Sequence, residues 1–242
     1  MASHYRDLTL TKIPGGTLVV SCDSCGGVGE KPNDVLTSPS YIVGRFTARV
    51  SLMEQICFGC EILSVVDALS CEKDPIGKEI IRGFKDEMQL AGLDPSLLTG
   101  STEENFPTTM TAVGSVVVGL IPGDFSKPQI FPQDYILCVG MPLLGGELLE
   151  PNAESLCVTY KEIQSFKQMD GVREIVPVGS KGIAFEVMEL KKIHHLDVSF
   201  HPSHLDLERS GGPATSVIMA VDQTVVETLC QNPKVTLIGQ FT

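Results

Sequence analysis

The stretch 18–34 reads LVVSCDSCGGVGEKPND, in which an apolar strand pattern runs into Asp23 and then into a loop closed by Asp34. The loop holds three glycines, at Gly26, Gly27 and Gly29. Accessible backbone N–H groups beside an acidic side chain are the combination that a metal-bridged phosphate needs. The same residues are also typical of a sharp turn capped by Asp23, because glycine is common wherever the backbone turns tightly. This stretch alone leaves both interpretations open.

Composition and charge limit the kind of ligand that the glycine-rich loop can bind. The chain has 242 residues, of which 43% are hydrophobic and 20% are charged, so a folded protein with a real core is expected. Thirty acidic against eighteen basic residues give a formal net charge of -12, which opposes binding to nucleic acid or to anionic membranes. We therefore expect a small-molecule ligand. A polyphosphate would need metal ions, backbone amides and a few basic side chains.

Targeting and cysteine patterns point to a cytoplasmic protein without a membrane span. No stretch has the order of a signal peptide, and no apolar run reaches about 18 residues. The chain has eight cysteines. Cys22-x-x-Cys25 and Cys57-x-x-Cys60 resemble the ligand pairs of a zinc ribbon, but the second pair lies in a helical pattern. Free thiols in apolar surroundings are favoured instead.

Hydrophobic periodicity predicts an α/β (α+β) protein in which strands and helices interleave in two lobes. In the first lobe we expect strands at 17–22 and 109–120 and helices at 44–69 and 76–91. The segment 121–133, IPGDFSKPQIFPQ, has no periodicity and separates predicted domains 1–122 and 134–242. In the second lobe we expect strands at 135–140, 172–178, 197–200, 215–221 and 235–238, and helices from 155 to 168, at 183–193 and at 223–230.

Several motifs together resemble the aminoimidazole ribonucleotide synthetase superfamily, the PurM-like proteins. They are VVSCDSCGGVGEKPND, VGRFTARVSLMEQICFGCEIL, AGLDPSLLTGSTEENFPTTMTAVGSVVVG, LCVGMPLLGGELL, IVPVGSKGIAFEVMEL and LERSGGPATSVI. This superfamily includes thiamine monophosphate kinase, selenophosphate synthetase and a hydrogenase maturation protein. The resemblance covers almost the whole chain. It implies an ATP-using two-domain fold in which the N-terminal domains of two subunits form a β-barrel, with nucleotide bound near the dimer interface.

The resemblance implies a magnesium site in the first lobe. Asp23 matches the metal-binding Asp at the end of the first strand of the family. Glu54 matches the helix Asp of the family pattern N-x-SD-x-x-A-x-G, and both would hold Mg²⁺ through oxygen ligands. For Glu54 the alternative is a solvated helix residue. The glycines of the loop, with Ser101 and Thr102, would complete the nucleotide site.

The segment 100–105, GSTEEN, falls where the kinases of the family have a GGDT motif. Ser101 stands in place of the third metal-binding Asp, and Glu103 or Glu104 is a candidate to replace that ligand. Ser101-x-x-Glu104 also has the spacing of a capping box that begins a helical turn. Thr102 and Glu104 are therefore candidate site residues with a structural alternative.

In the second lobe the acidic DxSDGL motif of the family is replaced by PVGSKGI, residues 177–183. Lys181 occupies one of the acidic positions at a helix start, where its charge and the backbone amides could hold a phosphoryl group. A solvated surface lysine is the alternative. The N-terminal DDaA element of thiamine monophosphate kinase is also missing, and residues 5–10 read YRDLTL.

A two-lobe member that keeps the nucleotide lobe and changes the acceptor lobe is most similar to the alpha-ribazole kinases. The resemblance implies transfer of the ATP γ-phosphoryl group to a nucleoside hydroxyl, with Mg²⁺, in a homodimer. Asp34 and Glu104 are the candidates for a general base. Two alternatives stay open, namely a nucleotide-binding regulatory relative without turnover and another ATP-dependent synthetase of the superfamily.

Overall fold

A computed structural model describes residues 2–242, which divide into two compact units. The first unit extends to Gln55 and continues from Gly59 to Phe125, and the second combines Ile56–Phe58 with Ser126–Thr242. Each unit contains a sheet and helices, so the predicted mixed α/β class is confirmed. No helix among residues 2–242 combines the length and apolarity needed to cross a bilayer.

Two helices and eight strands form the first unit. The helices are α1 (Ser40–Phe58) and α2 (Lys78–Leu90). The strands are β1 (Ala2–Tyr5), β2 (Leu8–Ile13), β3 (Gly16–Gly26), β4 (Val28–Gly29), β5 (Leu36–Thr37), β6 (Glu61–Leu69), β7 (Leu98–Thr102) and β8 (Ala112–Pro122). Six of them form a sheet in the order β1-β2-β3-β8-β6-β7, while β4 and β5 pair in the glycine-rich loop.

The alternation of buried and more exposed residues along the central strands explains how α1 packs on this sheet. Along residues 17–21 of β3 and 113–119 of β8 every second residue is buried, as expected for strands with one covered face. The Ser21 hydroxyl donates to the Ser51 carbonyl of α1 at 2.8 Å. The Gln55 amide donates to the carbonyls of Val19 and Val117, each at 3.1 Å. These polar contacts hold α1 against the middle of the sheet.

The predicted helix at 44–69 is wrong in its second half. Helix α1 ends at Phe58, and Gly59 follows it with φ 99°, the left-handed conformation that often terminates a helix. Strand β6 then occupies Glu61–Leu69. A continuous apolar run does not distinguish a buried helix from a buried strand, which is why periodicity alone missed β6. The short strands β1, β2 and β7 were also missed.

The second unit has an antiparallel sheet in the order β10-β12-β9-β13-β11. Its strands are β9 (Tyr135–Val139), β10 (Val172–Pro177), β11 (Val198–Phe200), β12 (Val217–Val221) and β13 (Val235–Phe241). Its helices are α3 (Ala153–Leu156), α4 (Tyr160–Lys167), α5 (Gly182–His194) and α6 (Gln223–Leu229). The predicted strands of this lobe match within a few residues. The helix predicted from 155 is split, because Thr159 begins α4 with a capping box.

Candidate functional site

The predicted nucleotide site lies at one end of the first sheet. Strands β3, β6 and β7 end there and β8 begins there, so their loops meet. The Gly27 N–H donates to the Thr111 carbonyl at 2.9 Å, and the Glu103 N–H donates to the Cys71 carbonyl at 3.0 Å. These bonds bring the glycine-rich loop, the turn after β6 and the segment 103–111 to the same edge.

Asp34 fastens the glycine-rich loop to this edge. One carboxylate oxygen accepts the Thr111 N–H at 2.8 Å. The other accepts the Thr111 hydroxyl and the Lys31 N–H, each at 2.8 Å. Burial acts to raise the pKa of Asp34, but these hydrogen bonds and the Lys31 charge together lower it. Asp34 therefore acts as an anchor, and its lowered pKa makes it a weak general base.

The three loop glycines differ in their surroundings. A Cβ on Gly29 would lie 2.4 Å from the Thr111 hydroxyl and 2.7 Å from the Asp34 carboxylate, so no larger residue fits without displacing the anchor. A Cβ on Gly26 would meet nothing within 4 Å. The Gly27 carbonyl accepts the Val35 N–H at 2.7 Å. The loop backbone is thus held by contacts at Gly27 and Gly29, whereas there is free space beside Gly26.

An ion pair that the sequence analysis did not predict supports the same loop. The Lys31 ammonium binds the Glu72 carboxylate and donates to the Thr108 carbonyl at 3.0 Å. Glu72 also accepts the Thr108 N–H at 2.8 Å. The hydrogen bond from Lys31 is the main cause that lowers the pKa of Glu72 to about 2. Lys31 lies next to the glycines in sequence, but nothing in the sequence signals its partner 41 residues away.

Asp23 lies within β3, three residues before its end, because the strand continues beyond the predicted range 17–22. It is half-buried, and burial raises its pKa while a backbone hydrogen bond from Ser24 opposes this. Burial also raises the pKa of the Cys25 thiol, and the charges of Asp23 and Asp34 contribute in the same direction. Asp23 and Cys25 point to the same face of β3, because alternate residues of a strand share a face.

Asp67 of β6 is a buried carboxylate that sequence reasoning missed. Ser115 of β8 pairs with Asp23 on one side and with Asp67 on the other, so the three side chains share the face that α1 covers. Asp67 is 4% exposed, and burial raises its pKa to about 6 although Lys85 acts to lower it. A Cβ on Gly100 would lie 1.4 Å from its carboxylate. In the sequence, the signal for this buried carboxylate was a single acidic residue within the apolar run SVVDAL.

Ser101 and Thr102 end strand β7, so the predicted capping box at 101–104 is wrong. The Thr102 hydroxyl donates to the Glu104 carboxylate at 2.7 Å, and the Lys73 N–H donates to it at 3.1 Å. Glu104 and Ser101 are exposed. The strand register directs Ser101 away from the helix-covered face that holds Asp67, because successive residues of a strand point to opposite faces.

Glu54 does not fit its predicted role as a magnesium ligand. Its carboxylate lies 3.6 Å from the Arg6 guanidinium, and the two side chains are 15% and 5% exposed. Burial raises the pKa of Glu54 to about 7, Arg6 acts to lower it, and Asp7 acts to raise it. Within residues 2–242, no three His, Cys, Asp or Glu side chains converge in a geometry that could hold a metal ion.

The remaining predicted residue, Lys181, belongs to the second unit. It is exposed, immediately precedes α5, and places its ammonium 4.2 Å from the centroid of the Phe185 ring. Two neighbouring amides already have acceptors: the Gly179 N–H donates to Glu186 at 3.3 Å, and the Gly182 N–H donates to the Gly179 carbonyl at 3.2 Å.

All eight cysteines of the chain are free thiols.

Residues 6–121 match the family model described as AIR synthase related protein, N-terminal domain. Solved structures extend the similarity over both units. The chain has a PurM-like fold. No curated protein sequence matches it significantly.

Three solved structures show the extent of this PurM-like similarity. Thiamine-monophosphate kinase from Stenotrophomonas maltophilia K279a is 14% identical, with a TM-score of 0.68, and the match covers 98% of this chain and 86% of that chain. AaThiL complexed with AMPPCP and TMP is 14% identical, with a TM-score of 0.68 and coverages of 97% and 84%. HypE from E. coli, a hydrogenase maturation protein, is 15% identical, with a TM-score of 0.66 and coverages of 94% and 80%.

Proposed function

We propose that this protein is an ATP-dependent kinase that phosphorylates a hydroxyl group of a small molecule, with alpha-ribazole as the best candidate acceptor. The observation that carries the proposal is the anchored glycine-rich loop beside Asp23 at the end of the first sheet. The AIR synthase-related match covers this region, and one structure with the same fold is complexed with AMPPCP. Loop amides and a nearby carboxylate are the groups that a metal-bridged polyphosphate needs.

In the proposed reaction the glycine-rich loop binds the phosphates of ATP through backbone N–H groups other than that of Gly27, which already donates to the Thr111 carbonyl. Asp34, with Thr111, keeps that loop in one conformation, so the amides are oriented before the ligand arrives. Mg²⁺, when bound with ATP, would neutralise charge on the β- and γ-phosphates, and Asp23 is the side chain that would hold it. Glu104 is the remaining candidate base of the first unit, because the Asp34 carboxylate already accepts three hydrogen bonds.

The choice of acceptor depends on positions where the chain departs from thiamine monophosphate kinase. Residues 5–10, YRDLTL, replace the DDaA element, and residues 177–183, PVGSKGI, replace the acidic motif of the second lobe. These changes argue against thiamine monophosphate. The resemblance to alpha-ribazole kinases supports a nucleoside in its place, and the charge of -12 fits a small ligand better than nucleic acid.

We also propose a homodimer formed through the uncovered face of the first sheet. The residues of that face are half-exposed and largely apolar: Leu18, Val20, Val66, Val116, Val118 and Leu120. An apolar face of this kind is typical of an association surface. A second copy that paired its own sheet with this face would cover it and produce the barrel implied by the resemblance.

A second candidate function is nucleotide binding without turnover. It is favoured by the Glu54–Arg6 ion pair, which removes one predicted metal ligand, and by the absence of acidic residues at 177–183. In that case the loop would still bind ATP, but no acceptor would be phosphorylated.

A coupled assay of ADP release separates the two candidates. The purified protein is supplied with ATP and a panel of nucleosides that includes alpha-ribazole, with and without Mg²⁺. The kinase proposal predicts ADP release that requires both alpha-ribazole and Mg²⁺. ATP binding without stimulation by any nucleoside would contradict the kinase proposal and favour the regulatory one.

A further inference from the structure

A buried arginine faces Glu54, the residue that the resemblance assigns to a metal. Arg6 lies in the turn between β1 and β2, and its Nη1 atom is 3.6 Å from Glu54 Oε2. The guanidinium also lies over the Tyr5 ring, 5.8 Å from its centroid. Tyr5 itself is buried. The cation is thus held in place by packing as well as by charge.

The position of this ion pair in the sheet connects it with the candidate site. Thr9 of β2 pairs with Val20 of β3, so the turn that precedes β2 lies beside the part of β3 that leads to Asp23. Arg6 therefore provides positive charge at the same end of the sheet as the glycine-rich loop. Asp7, in the same turn, is close enough for its charge to act on Glu54.

A divalent ion and the Arg6 guanidinium would compete for the same carboxylate. Arginine keeps its charge at any pH at which the protein is folded. Two positive charges within about 4 Å repel strongly where water is excluded, so a metal at Glu54 would have to displace the guanidinium. The low exposure of both side chains leaves little water to screen that repulsion.

We infer that the Arg6 guanidinium is the built-in cation at Glu54, and that it takes the place of a metal ion at this carboxylate. Arg6 is then a positioning residue that supplies permanent positive charge at the Glu54 carboxylate. Any role of Arg6 in the reaction rests on the proposed function. The Arg6–Glu54 contact itself is independent of nucleotide.

Manganese binding to the nucleotide-free protein tests the inference directly. Mn²⁺ affinity and stoichiometry are measured by electron paramagnetic resonance for the native chain, E54Q, R6Q, R6K and the double variant R6Q/E54Q. The native chain, E54Q and R6K should agree within two-fold. R6Q should gain one additional Mn²⁺ site at least ten-fold tighter than any in the native chain, because the largely buried Glu54 carboxylate then has lost the cation 3.6 Å away. That site should disappear in R6Q/E54Q.

Loss of a native Mn²⁺ site in E54Q would overturn the inference, because Glu54 would then be a metal ligand. Absence of a new site in R6Q would also overturn it, since the ion pair would then be only structural. The comparison of the native chain with E54Q does not depend on the folding of R6Q. Titration of the native chain with AMPPCP is run in parallel. Failure of that titration would contradict the proposed function and leave the manganese result intact.

Discussion

The carboxylate of Asp34 accepts two hydrogen bonds from Thr111, one from the backbone N–H and one from the hydroxyl, each at 2.8 Å. This link joins the end of the glycine-rich loop to the residue that precedes β8. The loop amides can bind an anion without first becoming ordered, because the anchor has already restricted them.

Replacing Asp34 with Ala should destabilise the protein and loosen the loop. The substitution leaves three donors without their acceptor, so we expect a loss of about 2–4 kcal/mol in the free energy of unfolding, measured by urea denaturation. Thr111→Val removes only the hydroxyl donor and should cost about 1 kcal/mol. Thr111→Ser keeps that donor and is the matched control. Native-like stability of Asp34→Ala would show that the anchor is unimportant.

Glu72 should make the protein sensitive to acid. Its pKa is lowered from 4.5 to about 2 in the folded state, chiefly by the Lys31 hydrogen bond. Its contribution to stability is therefore fully present above pH 4.5 and is lost as the pH falls toward 2. Between neutral and acidic pH, Glu72→Gln should lose less stability than the native chain, as measured by the urea midpoint. Glu61→Gln, at an exposed position of β6, is the control. An unchanged acid profile in Glu72→Gln would contradict the prediction.

Asp67 should have the opposite pH dependence. Its pKa rises from 3.8 to about 6 on folding, so its contribution is most favourable below pH 3.8 and is lost as the pH rises through 6. Asn cannot ionise, and Asp67→Asn should therefore be more stable than the native chain at pH 8, by about 1–3 kcal/mol. Thermal melts at pH 4 and pH 8 measure the difference. Asp170→Asn, an exposed change in the second unit, should have no such effect. A variant at Asp67 that is less stable at pH 8 would show that the ionised form is favoured.

Much of the loop could be predicted from sequence, because its chemistry is local. The glycines, Asp34 and the strand that carries Asp23 lie within residues 16–34, and their order indicates a strand followed by an anion-binding turn. The position of Asp23 inside β3 could not be predicted, since the strand continues through the polar residues Ser24 and Cys25.

Long-range partners were beyond sequence reasoning. Arg6 and Glu54 meet only because the first hairpin packs beside α1, and nothing in either segment indicates the other. The same holds for Lys31 and Glu72. Strand β6 was hidden because its apolar residues continue the pattern of α1, and only Gly59 marks the boundary.

The most direct test of the central claim is calorimetric titration of MgATP into the native chain and into Asp23→Asn. The account predicts that the native chain binds MgATP and that Asp23→Asn loses at least a factor of about 10 in affinity, because the side chain that would hold the nucleotide-borne metal is neutralised. Asp170→Asn, which lies outside the site, should bind like the native chain. Circular dichroism confirms that each variant is folded. Equal affinity in a folded Asp23→Asn would contradict the account and would place the nucleotide elsewhere.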